Sequence, residues 1–214
     1  MELDEKFMQR CLDLAQLGCG NVAPNPMVGS VVVHENKIIG EGYHRRFGEA
    51  HAEVNAIAAV ENERLLKNAT LYVSLEPCAH HGKTPPCVDL ILKKKIKRVV
   101  IACTDKYHEV AGKSIQKLRN EGVDVSVGVL EAKATQLNIR FFTYHEKQRP
   151  YIILKWAQSK DAYIDYERNS ENAQINWISC PETQTLTHLW RSQEQAIMVG
   201  RNTVVADNPS LTTR

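Results

Sequence analysis

The chain has 214 residues, enough for one large or two small domains. Its 27 basic and 25 acidic residues leave a net charge of only +2, which gives no footing for a nucleic-acid-binding surface, and no stretch approaches the ~18 apolar residues of a membrane span. The N-terminus, MELDEKFMQR, has neither a basic n-region nor an apolar h-region, so a cytoplasmic location is expected, with free thiols at Cys11, Cys19, Cys103 and Cys180.

Residues 4–18 read as an amphipathic helix, with Phe7, Met8, Cys11, Leu12, Leu14 and Ala15 at helical spacing, Asp4 as N-cap, and Gly18 and Gly20 ending it. Val31–His34 and Lys37–Gly40 read as a hairpin turning at Glu35-Asn36. His51 opens a second helix that runs to about Ala58. Thr70–Leu75 is a short apolar run, hence a buried strand, whose end is expected to deliver Glu76-Pro77-Cys78 to a helix start. Helix resumes over Val88–Lys94. Arg98–Cys103 is a further buried strand, Ser114–Asn120 a helix closed by Gly122, Val123–Val127 a last strand, and Glu131–Tyr144 a helix.

Alternation of this kind predicts an α/β fold with a sheet sandwiched between helices. Gln148-Arg149-Pro150 marks a linker, which sets the domains at 1–147 and 148–214. Beyond it, Tyr151–Ala157 and Ala196–Val199 are expected to be strands, Pro181–Ser192 a helix with proline in its first turn, and Asn202–Ala206 a short turn or helix. The roughly 65 residues after the linker are few for an independent core.

The most informative feature is His51-Ala52-Glu53, followed by Glu76-Pro77-Cys78 and then Pro85-Pro86-Cys87. One imidazole and two thiolates are three zinc ligands, and a catalytic zinc keeps a fourth position for water. The metal lowers the pKa of that water to about 7. Glu53 is a carboxylate not needed as a ligand, placed to shuttle a proton. His-x-Glu followed by Pro-Cys and a second cysteine is the pattern of the zinc-dependent base deaminases. The usual Cys-x-x-Cys spacing is replaced here by eight intervening residues, AHHGKTPP, which must bulge as a loop over the site. Lys83 and Thr84 at its tip offer a cation and a hydroxyl suited to phosphate. A structural zinc module is the competing reading, with His44, His80 or His81 as a fourth protein ligand.

The string EPCAHHGKTPPC, with APNPMVGSVVV and GEGYHRRFGEAHAEVNA before it, resembles the bifunctional riboflavin-biosynthesis deaminase/reductase family. LKWAQSKDAYID, NWIS and VGRNTVVADNPSLTTR resemble the start of that family's reductase domain. The resemblance implies a three-layer α-β-α cytidine-deaminase-like domain and then an incomplete dihydrofolate-reductase-like α/β domain. It implies zinc on His51, Cys78 and Cys87, proton transfer by Glu53, and substrate contacts from Asn25, His44, His80, Lys83 and Thr84.

The substrate implied is a small phosphorylated pyrimidine, 2,5-diamino-6-ribosylamino-4(3H)-pyrimidinone 5′-phosphate, which loses its 2-amino group. In the second domain the resemblance implies NADPH contacts from Trp177, Thr203 and Asp207, and reductase-substrate contacts from Arg191, Leu211 and Arg214. A homo-oligomer is expected. The family's Asp-x-Asn-Pro is here Asp105-Lys106-Tyr107-His108, which removes one expected asparagine contact. Another zinc nucleotide or cytidine deaminase is the alternative within the same chemistry. The long Cys78–Cys87 spacing and the appended domain weigh against it.

Overall fold

The computed structural model describes residues 3–79, 85–106, 112–166 and 176–213. The chain divides into two compact units, Met1–Tyr151 and Ile152–Arg214.

The first unit is built on a five-stranded mixed sheet in the order β2-β1-β3-β4-β5. Strands β1 (Gly29–His34) and β2 (Lys37–Tyr43) form the expected hairpin. Its turn residues Glu35 and Asn36 both have positive φ, 49° and 60°, the combination that matches the twist of paired strands. β1 also pairs antiparallel with β3 (Thr70–Val73). β3, β4 (Arg98–Ile101) and β5 (Asp124–Val127) then run parallel, as their helical crossovers require.

The inner parallel strands β3 and β4 read as short apolar runs because both faces are covered. On one face Leu71, Val73, Val99 and Ile101 pack under α2 (Ala52–Ala58), α3 (Cys87–Lys93) and α4 (Lys113–Asn120) through Ala56, Ile57, Val88, Ile91, Ile115 and Leu118. On the other, Val31, Val33, Tyr72 and Val100 pack under α1 (Leu3–Gln16), α5 (Glu131–Leu137) and α6 (Ile139–Lys147). The result is the α-β-α layering expected from the sequence. The six α1 residues named from helical spacing are its buried set.

The expected single helix over 131–144 is two helices. The break falls at Asn138, whose buried side chain grips one residue of a distant loop: Oδ1 accepts the Met27 N–H and Nδ2 donates to the Met27 carbonyl, both at 2.8 Å. That bidentate grip fixes the backbone at φ −103°, ψ 25°, outside the helical range.

Glycines set how close the site helix comes to the sheet. A Cβ on Gly42 would strike the Ala56 backbone nitrogen and come 2.6 Å from Asn55 Cβ, both on α2. Gly42→Ala must therefore push α2 off β2, and a loss of about 1–3 kcal/mol is expected in urea unfolding. An unchanged unfolding midpoint would show that α2 yields freely.

The second unit contains α7 (Pro181–Ser192), with its proline in the first turn, and α8 (Arg201–Asp207). The expected strands at Tyr151–Ala157 and Ala196–Val199 are absent: both segments are irregular. A strand exists only through its neighbour's hydrogen bonds, and among the described residues of this unit no partner strand is present. Their apolar side chains stay in solvent, with Leu154 78% and Met198 95% exposed. No described helix is long and apolar enough to cross a membrane.

Candidate metal centre

His51, Glu53, Cys78 and Cys87 come together where β3 ends and α2 and α3 begin. This is the carboxyl end of the parallel strands, the usual place for a site in an open α/β sheet. His51 is the N-cap of α2, with extended backbone (φ −72°, ψ 165°), and Glu53 lies in that helix's first turn. Asn55, one turn along, braces the approach by donating from Nδ2 to the Tyr43 carbonyl at 2.8 Å.

Cys87 is the first residue of α3. Cys78 is not at a helix start, as had been expected from the sequence; it lies in the irregular stretch after β3. The helix-end interaction is nevertheless present through space. Cys78 Sγ accepts the Cys87 N–H at 3.3 Å, and the Cys78 carbonyl accepts the Val88 N–H at 3.2 Å. Cys78, nine positions before the first helical residue, thus meets the helix's free N–H groups.

The donor atoms converge. His51 Nδ1 lies 3.5 Å from Cys78 Sγ and 3.4 Å from Cys87 Sγ, and all three ligand atoms lie within 4.8 Å of one another. A tetrahedral zinc with bonds of about 2.3 Å to sulfur and about 2.0–2.1 Å to nitrogen demands N···S separations of roughly 3.5 Å. The donor set therefore fits zinc in spacing and in softness. No other such group of three is found among the described residues.

The electrostatics agree with a cation site. Hydrogen bonding from the Cys87 thiol, then from His51, holds the Cys78 thiol well below its ordinary value, while the same bond pushes the Cys87 thiol up. His51 is raised by its bond to Cys78. Glu53, only 3% exposed, is pushed up to about 7, chiefly by burial and next by the Cys78 charge. A cation held by the adjacent donors would favour its charged form, the form that accepts a proton.

Asn25 and His44 stand beside this cluster as a pair. The His44 ring lies edge-on to His51 with centroids 5.5 Å apart. His44 Nδ1 faces the Ala50 carbonyl at 3.1 Å and so must carry the proton; Nε2 then accepts from Asn25 Nδ2 at 3.1 Å. The Asn25 amide oxygen is then the acceptor that the pair offers among the described residues. His44 is 3% exposed, and burial lowers its pKa, which favours this neutral form.

His80, Lys83 and Thr84 lie outside the described residues, as do Tyr107 and Arg214. In the second unit, Trp177 precedes α7 and is 64% exposed, and Arg191 lies in the last turn of α7. Thr203 and Asp207 are exposed on α8, and Leu211 follows it with φ 51°. Among the described residues no side-chain hydrogen bond joins any two of these five. Sequence reasoning gave Glu76, Ser114 and Asn138 no part in the architecture around the site. Glu76 stood in plain view before Pro77-Cys78, but nothing local reveals which donors meet its carboxylate.

Residues 1–103 match the family profile described as the cytidine and deoxycytidylate deaminase zinc-binding region, and residues 150–214 match the RibD C-terminal domain. Among curated proteins, the chain is similar to the riboflavin biosynthesis protein RibD of Aquifex aeolicus, 46% identical over 213 residues that take in 100% of this chain and 58% of that one. It is likewise similar to RibD of Escherichia coli, 42% identical over 99% of this chain and 56% of the relative. Among solved structures, Acinetobacter baumannii RibD aligns with a TM-score of 0.91 at 39% identity, over 99% of this chain and 58% of that one. A Thermotoga maritima structure described as a diaminohydroxyphosphoribosylaminopyrimidine deaminase/5-amino-6-(5-phosphoribosylamino)uracil reductase aligns with a TM-score of 0.90 at 44% identity, over 99% and 59%. The chain thus spans little more than half the length of the relatives it matches.

Proposed function

We propose that this chain, which is similar to RibD riboflavin biosynthesis proteins along its whole length, has as its first unit a zinc-dependent hydrolase that removes the 2-amino group of 2,5-diamino-6-ribosylamino-4(3H)-pyrimidinone 5′-phosphate. The observation that carries this reading is the convergence of His51, Cys78 and Cys87 beside a buried carboxyl, Glu53.

His51, Cys78 and Cys87 would hold the metal. When bound, zinc supplies the Lewis acidity that makes water a usable nucleophile at neutral pH. Glu53 accepts a proton from the water as its oxygen bonds to the ring carbon bearing the amino group. It delivers that proton to the ring nitrogen beside this carbon, then carries the proton of the new hydroxyl to the departing amine, so ammonia leaves and a carbonyl remains. The Asn25 amide oxygen, oriented through His44, is a fixed acceptor for an N–H of the pyrimidine. His80, Lys83 and Thr84 are assigned to the ribose phosphate.

The second unit we assign to the first part of the reductase fold, with Trp177, Thr203 and Asp207 toward NADPH and Arg191, Leu211 and Arg214 toward the ribosyl phosphate. The described residues do not by themselves fit a bound dinucleotide, since Trp177 stands exposed before α7 and Thr203 and Asp207 stand exposed on α8. The apolar side chains exposed on this unit, Leu154 and Met198 among them, support association of the chain with copies of itself.

Ammonia release from the diaminopyrimidinone ribosyl phosphate, with CMP and cytidine as controls and zinc assayed in the same sample, tests the reading. Zinc near one per chain with turnover on the riboflavin precursor alone is the expected result. Turnover on the cytidine compounds would move the protein to another branch of the deaminases.

A further inference from the structure

Two residues before Cys78, the side chain of Glu76 is buried, 4% exposed, and three donors from one distant segment converge on it. Oε2 accepts the N–H of Asp105 at 3.2 Å and of Gly112 at 3.0 Å, and Oε1 accepts the Ser114 hydroxyl at 2.6 Å. Its own N–H donates to the Cys103 carbonyl at 3.0 Å. Glu76 thus ties the end of β3 to the residues after β4 and to the head of α4. Gly112, the N-cap of α4, is in the left-handed region at φ 73°, which turns its N–H toward the carboxylate.

Burying a carboxylate is costly unless its oxygens are well satisfied, and an apolar residue here would avoid that cost. What an apolar residue cannot do is hold three separate groups in register. Between Glu76 and Cys78 stands Pro77, whose ring fixes φ and removes one soft joint. Motion of Glu76 is therefore passed to Cys78. From the other side Cys78 is held by the N–H groups of Cys87 and Val88 at the head of α3. The Cys78 sulfur is suspended between two helix heads, and Glu76 is the link to one of them.

We propose that Glu76 is a positioning residue for the metal centre: through its bonds to Asp105, Gly112 and Ser114 it fixes Cys78 at the distance from His51 and Cys87 that zinc requires. This rests on the zinc reading given above. A carboxylate that merely capped α4 would affect stability alone.

The test is the zinc dissociation constant of the full chain, measured by competition with a chromophoric chelator, together with the visible spectrum of the cobalt-substituted protein. Glu76→Gln is expected to weaken zinc about tenfold or more, the scale on which groups behind the ligands act, and to shift the cobalt bands. Ser114→Ala, which removes one donor and spares the carboxylate, should move both readouts in the same direction by less. Tyr72→Phe, which removes the 2.6 Å bond to Asp4 on the far face, should lower thermal stability and leave zinc affinity unchanged. Zinc affinity within twofold of wild type in both Glu76→Gln and Ser114→Ala, with a normal cobalt spectrum, would overturn the proposal and leave the zinc reading intact. Should Glu76→Gln fail to fold, Ser114→Ala decides alone. A wild-type chain that takes up no zinc overturns both.

Discussion

Replacing Glu53 by glutamine is expected to leave zinc content near one per chain and to lower the rate of ammonia release by more than ~100-fold, the usual scale of general acid–base catalysis. Glutamine keeps the size of the side chain and removes its ability to carry a proton. The three ligand atoms belong to other residues, so the metal stays. The environment shows why this carboxyl suits the task. It is 3% exposed in the first turn of α2, and burial pushes its pKa upward. Burial raises this carboxyl's affinity for a proton and a neighbouring cation lowers it again, so the group can both take and return one within a cycle. Steady-state kinetics on the diaminopyrimidinone substrate, with zinc measured in the same preparation, checks the prediction. Near-normal turnover in Glu53→Gln would remove Glu53 from the chemistry. Loss of zinc along with activity would instead make the carboxyl a structural support of the centre.

Much of the first unit is legible in the sequence because its signals are local. The buried residues of α1 follow from helical spacing, and the hairpin turn follows from Glu35-Asn36. The short apolar runs at 70–75 and 98–103 mark parallel strands covered on both faces. Where the reading fails, a distant group decides. Asn138 breaks a helix because it grips Met27, over a hundred positions earlier. Cys78 stands outside a helix because Cys87, after the insertion, supplies the helix start. The convergence of His51, Cys78 and Cys87 was expected from residue type and order. The Asn25–His44 pairing and the donors around Glu76 were not, since periodicity does not encode which side chain faces which. In the second unit, apolar runs expected as strands find no partner among the described residues, and an unpaired run has no reason to become a strand.

Stripping the metal separates a catalytic zinc from a structural one, and the chain is expected to lose the proposed deaminase activity while keeping its fold. A zinc finger unfolds without metal because it has little other core. Here the sheet carries two apolar layers. Met8, Val31, Leu71, Val99, Ile101 and Leu118 are among the fully buried side chains, and the donors sit at one end of the sheet rather than inside either layer. Zinc adds stability only through its binding equilibrium, by RT ln(1 + [Zn]/Kd), on top of a core already formed. Treatment with a chelator should therefore lower the thermal midpoint, leave the far-ultraviolet circular dichroism native at 25 °C, and abolish ammonia release until zinc is returned. Cys87→Ser should reproduce the same state permanently, folded and metal-poor, with turnover reduced by more than the ~100-fold expected of Glu53→Gln, because it removes the Lewis acid as well as impairing the acid–base partner. Collapse of the circular dichroism signal on chelation would instead identify a module stapled by its metal. A fourth protein ligand would then have to come from the residues near the site, and Glu53 would lose its assigned role.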